Sequence, residues 1–295
     1  MSVALVLSGG ASLGAIQVGM LRALADHGVR PDVVVGTSVG AINGAFVASR
    51  DFTARSVDEL GELWLEVRRG HVFPIAPVAG MLGVVGARSN LVPVRALREL
   101  LLRHVPCERL EELATPLHVI ACDARTGGEI RLSEGCLVDA LLASAAIPGV
   151  FPPVEWGERL LIDGGVIDNT PVSHAVDLGA DEIYVLSTGG PCLATEPPRG
   201  ALGMLIHATS LLVGQRFAGE ASALGRRPGV TILPPPCPIG VHPMDFGHSA
   251  ELIARGEATA RAFLQERSAD VVALEPRRAT RRAPAIPAGE LPSAG

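Results

Sequence analysis

Two apolar runs within the first forty residues each break at a cluster of small residues and then pass into a helical pattern. The first is Val3-Ala4-Leu5-Val6-Leu7-Ser8. It leads into Gly9-Gly10-Ala11-Ser12-Leu13-Gly14, and then Ile16, Met20, Leu21 and Leu24 recur at helical spacing. The second is Val33-Val34-Val35, followed by Gly36-Thr37-Ser38-Val39-Gly40 and a small-residue helix from Ala41 to Ala48. A short, continuously apolar strand is one buried on both faces. Parallel neighbours of that kind need a crossover, usually a helix. The repeated rhythm therefore predicts an α/β fold of three layers, α/β/α, around a mostly parallel central sheet.

Later segments extend the pattern. Residues 51–69 read as a helix with Leu60, Leu63, Trp64 and Val67 on one face, and 94–104 as another. Strands are expected at Leu117–Ala121, Ile130–Leu132, Arg159–Ile162 and Ile183–Leu186. Further helices are expected at Leu137–Ala146, 201–216 and 249–267. Residues 71–94 are apolar, rich in Gly and Pro, and without period; they read either as a lid over a greasy substrate or as an irregular loop. From Glu275 onward Arg, Ala and Pro dominate. The expected organisation is one domain over residues 1–275 and a disordered, solvated tail over 276–295.

Composition narrows the chemistry. With 48% hydrophobic and 19% charged residues the chain can bury a sizeable core. A net charge of −6 and an aromatic content of 3% argue against a nucleic-acid partner. Every basic residue is Arg, so Schiff-base, pyridoxal-phosphate and Walker A chemistry, which need Lys, are excluded. The five Cys form no C-x-x-C pair and read as buried free thiols in a reducing compartment. No apolar run reaches the ~18 residues that a membrane span needs. The first residues lack a basic leader pattern, so the expected location is cytoplasmic, with at most transient contact with a membrane surface.

The segment Gly36-Thr37-Ser38-Val39-Gly40 has the form G-x-S-x-G between a strand and a helix, the setting of a nucleophile elbow. The helix that follows would place its positive dipole end beneath Ser38. The loop from Gly9 to Gly14 follows the neighbouring strand, so both turns would meet at the carboxyl edge of the sheet. Its backbone N–H groups could hold the oxygen that gains charge in acyl transfer, a contribution of about 3–4 kcal/mol per donor. For the base, none of the eight His stands at a Gly-bracketed strand end. His242 and His248, near a loop, are weak candidates. Asp163 follows Leu160-Leu161-Ile162 and precedes Gly164-Gly165, so its carboxylate would emerge at a strand end. Burial there would raise its pKa and make it a better proton acceptor. An ordinary Asx turn is the alternative for the same residues.

Taken in order, these pieces resemble the patatin-like phospholipase family. The resemblance rests on Gly9-Gly10-Ala11-Ser12-Leu13-Gly14, on the elbow at Ser38, and on Asp163-Gly164-Gly165. The segment from Ala143 to Pro153, Asp168-Asn169-Thr170-Pro171-Val172, and Asp245-Phe246 with Ile253-Ala254-Arg255-Gly256 add to it. What it implies is a serine–aspartate dyad of Ser38 and Asp163, an oxyanion loop of Gly9, Gly10 and Ala11, and supporting roles for Gly14, Gly36, Gly40, Gly164 and Gly165. It also implies hydrolysis of lipid acyl esters without metal or cofactor. Ala11 stands where the family usually has Gly, and Leu13 where it often has Arg or Lys. The missing charge shifts the expected substrate from anionic phospholipid towards a neutral ester or lysolipid. Three other readings stay open: a Ser-His-Asp hydrolase, a catalytically silent lipid-binding protein, and a dinucleotide-binding oxidoreductase. The last fits poorly, because the second strand ends in Gly36 and offers no acid for a ribose.

Overall fold

A computed structural model describes residues 1–74, 87, 89–188, 204, 208, 211 and 227–274, with side chains described as far as 267. The first two strands lie where the sequence puts them: β1 is Val3–Leu7 and β2 is Val33–Thr37. Between them runs α1, Gly14–Asp26, and after β2 comes α2, Val39–Ala48. The next helices are α3 (Ala54–Glu66), α4 (Arg69–Val72) and α5 (Arg95–His104). Strands β3 (Leu117–Asp123) and β4 (Glu129–Leu132) precede α6 (Leu137–Ser144). Then come β5 (Val154–Trp156), β6 (Arg159–Asp163), α7 (Val172–Asp177), β7 (Glu182–Leu186), β8 (Val230–Leu233) and α8 (Ser249–Leu274).

The strands form one eight-stranded sheet in the order β5-β6-β3-β2-β1-β7-β8, with β4 paired to β3. The five strands from β3 to β8 run parallel; β4, β5 and β6 pair antiparallel. Every residue of β2 is buried, as its unbroken apolar run requires. The larger core lies on the face covered by α1, α2, α3, α5 and α6, with Leu5, Leu7, Ile16, Val34 and Leu141 at its centre. The other face packs Ala4, Val6, Val35 and Ile120 against Val172 and Ala175 of α7.

Helix α8 crosses α1 backbone to backbone. A Cβ on Gly19 would lie 2.1 Å from the Ile253 carbonyl oxygen, and one on Gly256 would lie 2.4 Å from that of Ile16. Only glycine permits that approach.

Four short elements were not expected from the sequence: α4, β5, α7 and β8. Each has six residues or fewer, too few for a period to stand out. The expected helix at 201–216, except positions 204, 208 and 211, and the tail at 276–295 lie outside the described residues. So does most of the 71–94 stretch. The thiol expectation needs correction. Cys237 is disulfide-bonded. Of the free cysteines Cys107, Cys122 and Cys136, only Cys122 is buried. Thiol content therefore no longer argues for a reducing compartment.

Candidate active site

Ser38 occupies the turn between β2 and α2 with φ 55° and ψ −124°. A non-glycine residue reaches that region only under strain, of order 1–3 kcal/mol, when its surroundings hold it there. The surroundings here are tight. A Cβ on Gly40 would lie 2.2 Å from the Leu7 carbonyl oxygen, so the turn is pressed against the end of β1. Gly36 lies against the backbone of Ala41 in the same way. The Ser38 N–H donates to Ser144 Oγ at 2.8 Å, and Ser144 in turn donates to the Ile120 carbonyl. The side chain is thereby thrown clear of the strand path.

Asp163 ends β6, which descends antiparallel to β3. Ala121 of β3 pairs with Asp163, while Ile120 pairs with Thr37 of β2. Ser38 and Asp163 thus stand at one level on either side of β3, with backbones about two strand spacings, or ~9.6 Å, apart. Their side chains close the gap: Ser38 Oγ donates to Asp163 Oδ2 at 2.7 Å. Gly164 lies flat over the Ile120 carbonyl, and the Gly165 N–H donates to Asp163 Oδ1 at 2.7 Å. Burial pushes the Asp163 carboxyl up to about 6, against the pull of the hydrogen bonds from Ser38 and Gly165. A carboxylate of that basicity, bonded to a serine hydroxyl, can take its proton as the oxygen attacks a carbonyl.

The Gly9–Gly14 loop flanks the pair. The Gly9 N–H is committed to the Asn169 carbonyl at 3.0 Å, so Gly9 shapes the loop without offering a donor. Its own carbonyl accepts from Thr188 Oγ1 at 2.5 Å. Ser12 N–H donates to Pro243 O and Leu13 N–H to Gly10 O. The N–H groups of Gly10 and Ala11 have no acceptor among the described residues. Ala11 has φ 50°, so the missing glycine does not change the loop path; it adds strain. Leu13 is buried, and a charge there would have no water. Gly14 packs on Val39 and Trp64.

A buried polar relay holds the loop from behind. Gln17 Nε2 donates to the carbonyls of Ser8 and Leu186, at 2.8 and 3.1 Å. Gln17 Oε1 accepts from Asn43 Nδ2, and Asn43 Oδ1 accepts from Trp64 Nε1, both at 2.9 Å. Gln17→Leu keeps the bulk and strands the Ser8 carbonyl, while the Leu186 carbonyl keeps the Ser8 N–H and Asn43 Nδ2 keeps the Gly14 carbonyl. Unfolding in urea should show a loss of about 1–3 kcal/mol, the cost of one stranded buried group. A midpoint unchanged from wild type would mean that the relay carries no stability.

Ser38 and Ala11 open into a cavity of about 850 Å³, counting its mouth, between α2, α3 and α5. Its walls are apolar, with Phe73, Phe151 and Phe246 among them; Phe246 stacks on Trp64 at 6.2 Å between centroids. No Arg lines it among the described residues.

The two weak histidine candidates are engaged elsewhere. His248 Nδ1 faces Asp245 Oδ2 at 3.2 Å, and His242 Nδ1 accepts from the Met244 N–H. Among the described residues, Glu129, Asp168 and His174 form a group that could hold a metal ion, with ligand atoms within 4.8 Å of one another. His174 Nε2 pairs with Glu129 there, and Ser38 is not part of the group.

With this geometry in place, likeness to known proteins is informative. Residues 5–176 match the patatin-like phospholipase family. The chain belongs to that family. Among curated members, patatin-like phospholipase domain-containing protein 7 of Rattus norvegicus is 30% identical over 64% of this chain and 14% of its own length. An uncharacterized NTE family protein of Mycobacterium tuberculosis is 30% identical over 71% of this chain and 57% of its own. The chain thus spans only part of each of these patatin-like relatives. Among solved structures, VipD from Legionella pneumophila aligns over 90% of this chain and 67% of its own, at 15% identity and a TM-score of 0.49. No described helix is long and apolar enough to cross a membrane.

Sequence reasoning pointed to Ser38, Asp163 and the glycine loop, and these residues come together. It did not single out Ser144, Gln17, Asn43 or Thr188. The one available signal was polarity out of place: Gln17 interrupts the apolar first two turns of α1, and Asn43 interrupts α2, which is otherwise made of small and apolar residues.

Proposed function

We propose that this patatin-like chain is a lipid acyl hydrolase, a serine esterase of phospholipase A type. Ser38 attacks the ester carbonyl while Asp163 Oδ2 accepts its proton. The N–H groups of Gly10 and Ala11 receive the oxygen that becomes negative. Asp163 then returns the proton to the departing alcohol, and water repeats the sequence on the acyl-enzyme. The observation that carries this reading is the 2.7 Å bond from Ser38 Oγ to Asp163 Oδ2 on the wall of an apolar cavity. No step needs a metal or cofactor. The absence of Arg from the described cavity lining favours a neutral ester or lysolipid over a multiply anionic head group.

Turnover of a neutral p-nitrophenyl acyl ester tests the reading. Ser38→Ala should lower kcat/KM by about 10³-fold or more. Since the base acts ionised, kcat/KM should fall tenfold per pH unit below about 6 and level off above it. A Ser38→Ala variant as active as wild type, or a rate flat from pH 4.5 to 7, overturns the assignment. Parallel assays of His242→Ala and His248→Ala address the triad alternative: loss of activity in both, with Asp163→Asn intact, would replace the dyad.

A further inference from the structure

The cavity has a measurable length along α2. Val39, Ile42, Asn43 and Phe46 line it at i, i+3, i+4 and i+7, so one face of the helix forms its wall from Ser38 onward. Helices α3 and α5 face that wall with the same spacing, from Leu60 to Val67 and from Leu97 to His104. From Ser38 to Phe46 is eight helical steps, about 12 Å. A zigzag of ~1.5 Å carbon–carbon bonds advances ~1.3 Å per carbon, so this stripe seats about nine carbons.

The stripe ends at a braced aromatic ring. The Arg50 guanidinium carbon lies 3.8 Å from the centroid of the Phe46 ring. Arg50 Nη1 donates to the Phe46 carbonyl at 3.2 Å and to Ser49 Oγ at 2.7 Å, and Nη2 donates to the His104 carbonyl at 3.3 Å. His104, on the facing helix, contributes an imidazole to the lining at this end. A chain end that passed Phe46 would leave apolar walls for a guanidinium and an imidazole. It would gain no burial and would strip water from a charge.

We propose that Phe46, braced by Arg50, is the stop of an acyl-length gauge, so that the hydrolase prefers a single unbranched acyl chain of about eight to ten carbons. The proposal rests on the reading of Ser38 as the nucleophile, because the length is counted from there. Each methylene seated in the groove raises kcat/KM about fourfold, the equivalent of about 0.8 kcal/mol. The gain stops where the stripe stops.

The experiment is a chain-length profile of kcat/KM for the full chain on p-nitrophenyl esters from four to sixteen carbons. Wild type should rise steeply to about eight to ten carbons and then flatten or fall. Phe46→Ala should move that break outward by two carbons or more. Ile42→Phe adds bulk one turn nearer Ser38, ~6 Å, and should pull the break inward by about four carbons. It fills space rather than emptying it, so it decides the matter if Phe46→Ala does not fold. A wild-type profile that climbs steadily to sixteen carbons, or a break that Ile42→Phe leaves in place, overturns the gauge. Failure of wild type to hydrolyse any of the esters overturns the proposed function instead.

Discussion

The Asp163→Asn variant should lose ester hydrolysis by about 10³-fold and yet be more stable than wild type at neutral pH. Both results follow from one buried carboxylate. In wild type, burial raises the Asp163 pKa to about 6, whereas in the unfolded chain it lies near 4. Between those values the unfolded state releases a proton that the folded state keeps. Stability therefore falls as pH rises from about 4 to about 6 and stays lower above that, by roughly 3 kcal/mol. Asparagine has no charge to desolvate. Its oxygen can still accept from Gly165, and its amide can donate to Ser38 Oγ, so the packing is kept. The hydroxyl proton then has nowhere to go. Denaturant midpoints should coincide near pH 4 and favour the variant by ~2–3 kcal/mol at pH 8. An activity loss without that crossover would mean that Asp163 is not desolvated as the structure places it.

Gly40→Ala should damage both fold and rate. The added methyl would sit 2.2 Å from the Leu7 carbonyl oxygen and 2.6 Å from that of Ser8, both backbone atoms at the end of a central strand. Neither can rotate away, so the turn that carries Ser38 must lift off β1. We expect about 3 kcal/mol of destabilisation by chemical denaturation. A kcat loss of about 100-fold should accompany it, because displacement of a reacting group by ~1 Å costs that much. Gly28→Ala is a useful comparison. Gly28 has φ 81° but no neighbour within 4 Å, so a methyl there strains the backbone without moving the site. Equal kcat losses in both variants would refute the seam argument.

What was legible in the sequence was what is local. The turns after β1 and β2 show because each is a strand, a cluster of small residues and a helix in succession. The helical face of Leu60, Leu63, Trp64 and Val67 was visible too, although nothing in the sequence said that it looks across a cavity at α2. Asp163 could be placed at a strand end, but not the direction of that strand. β6 comes down antiparallel past β3, and only the register of three strands brings Asp163 level with Ser38. Ser144 is harder still. Its hydroxyl bridges the Ser38 N–H and the Ile120 carbonyl, from residues 106 and 24 positions away. A lone serine among alanines carries no mark of that task. The loss of Gly9 as a donor is likewise invisible without Asn169 beside it.

The tie between Ser12 and Pro243 bears on the order in which this molecule can be assembled during translation. The loop that begins at Gly9 emerges ahead of the segments that hold it. Its anchors, the Pro243 carbonyl and the α8 backbone lying against Gly19, are synthesised some 230 residues later. At ~5–20 residues per second that interval is about 10–50 s. Through that time the first strand and helix can form, and Asn169 and Thr188 become available to Gly9, but Ser12 lacks its acceptor at Pro243. A nascent chain should acquire the Ser38 turn well before the Gly9–Gly14 loop is settled. Helix α8 thereby sets when the loop can settle.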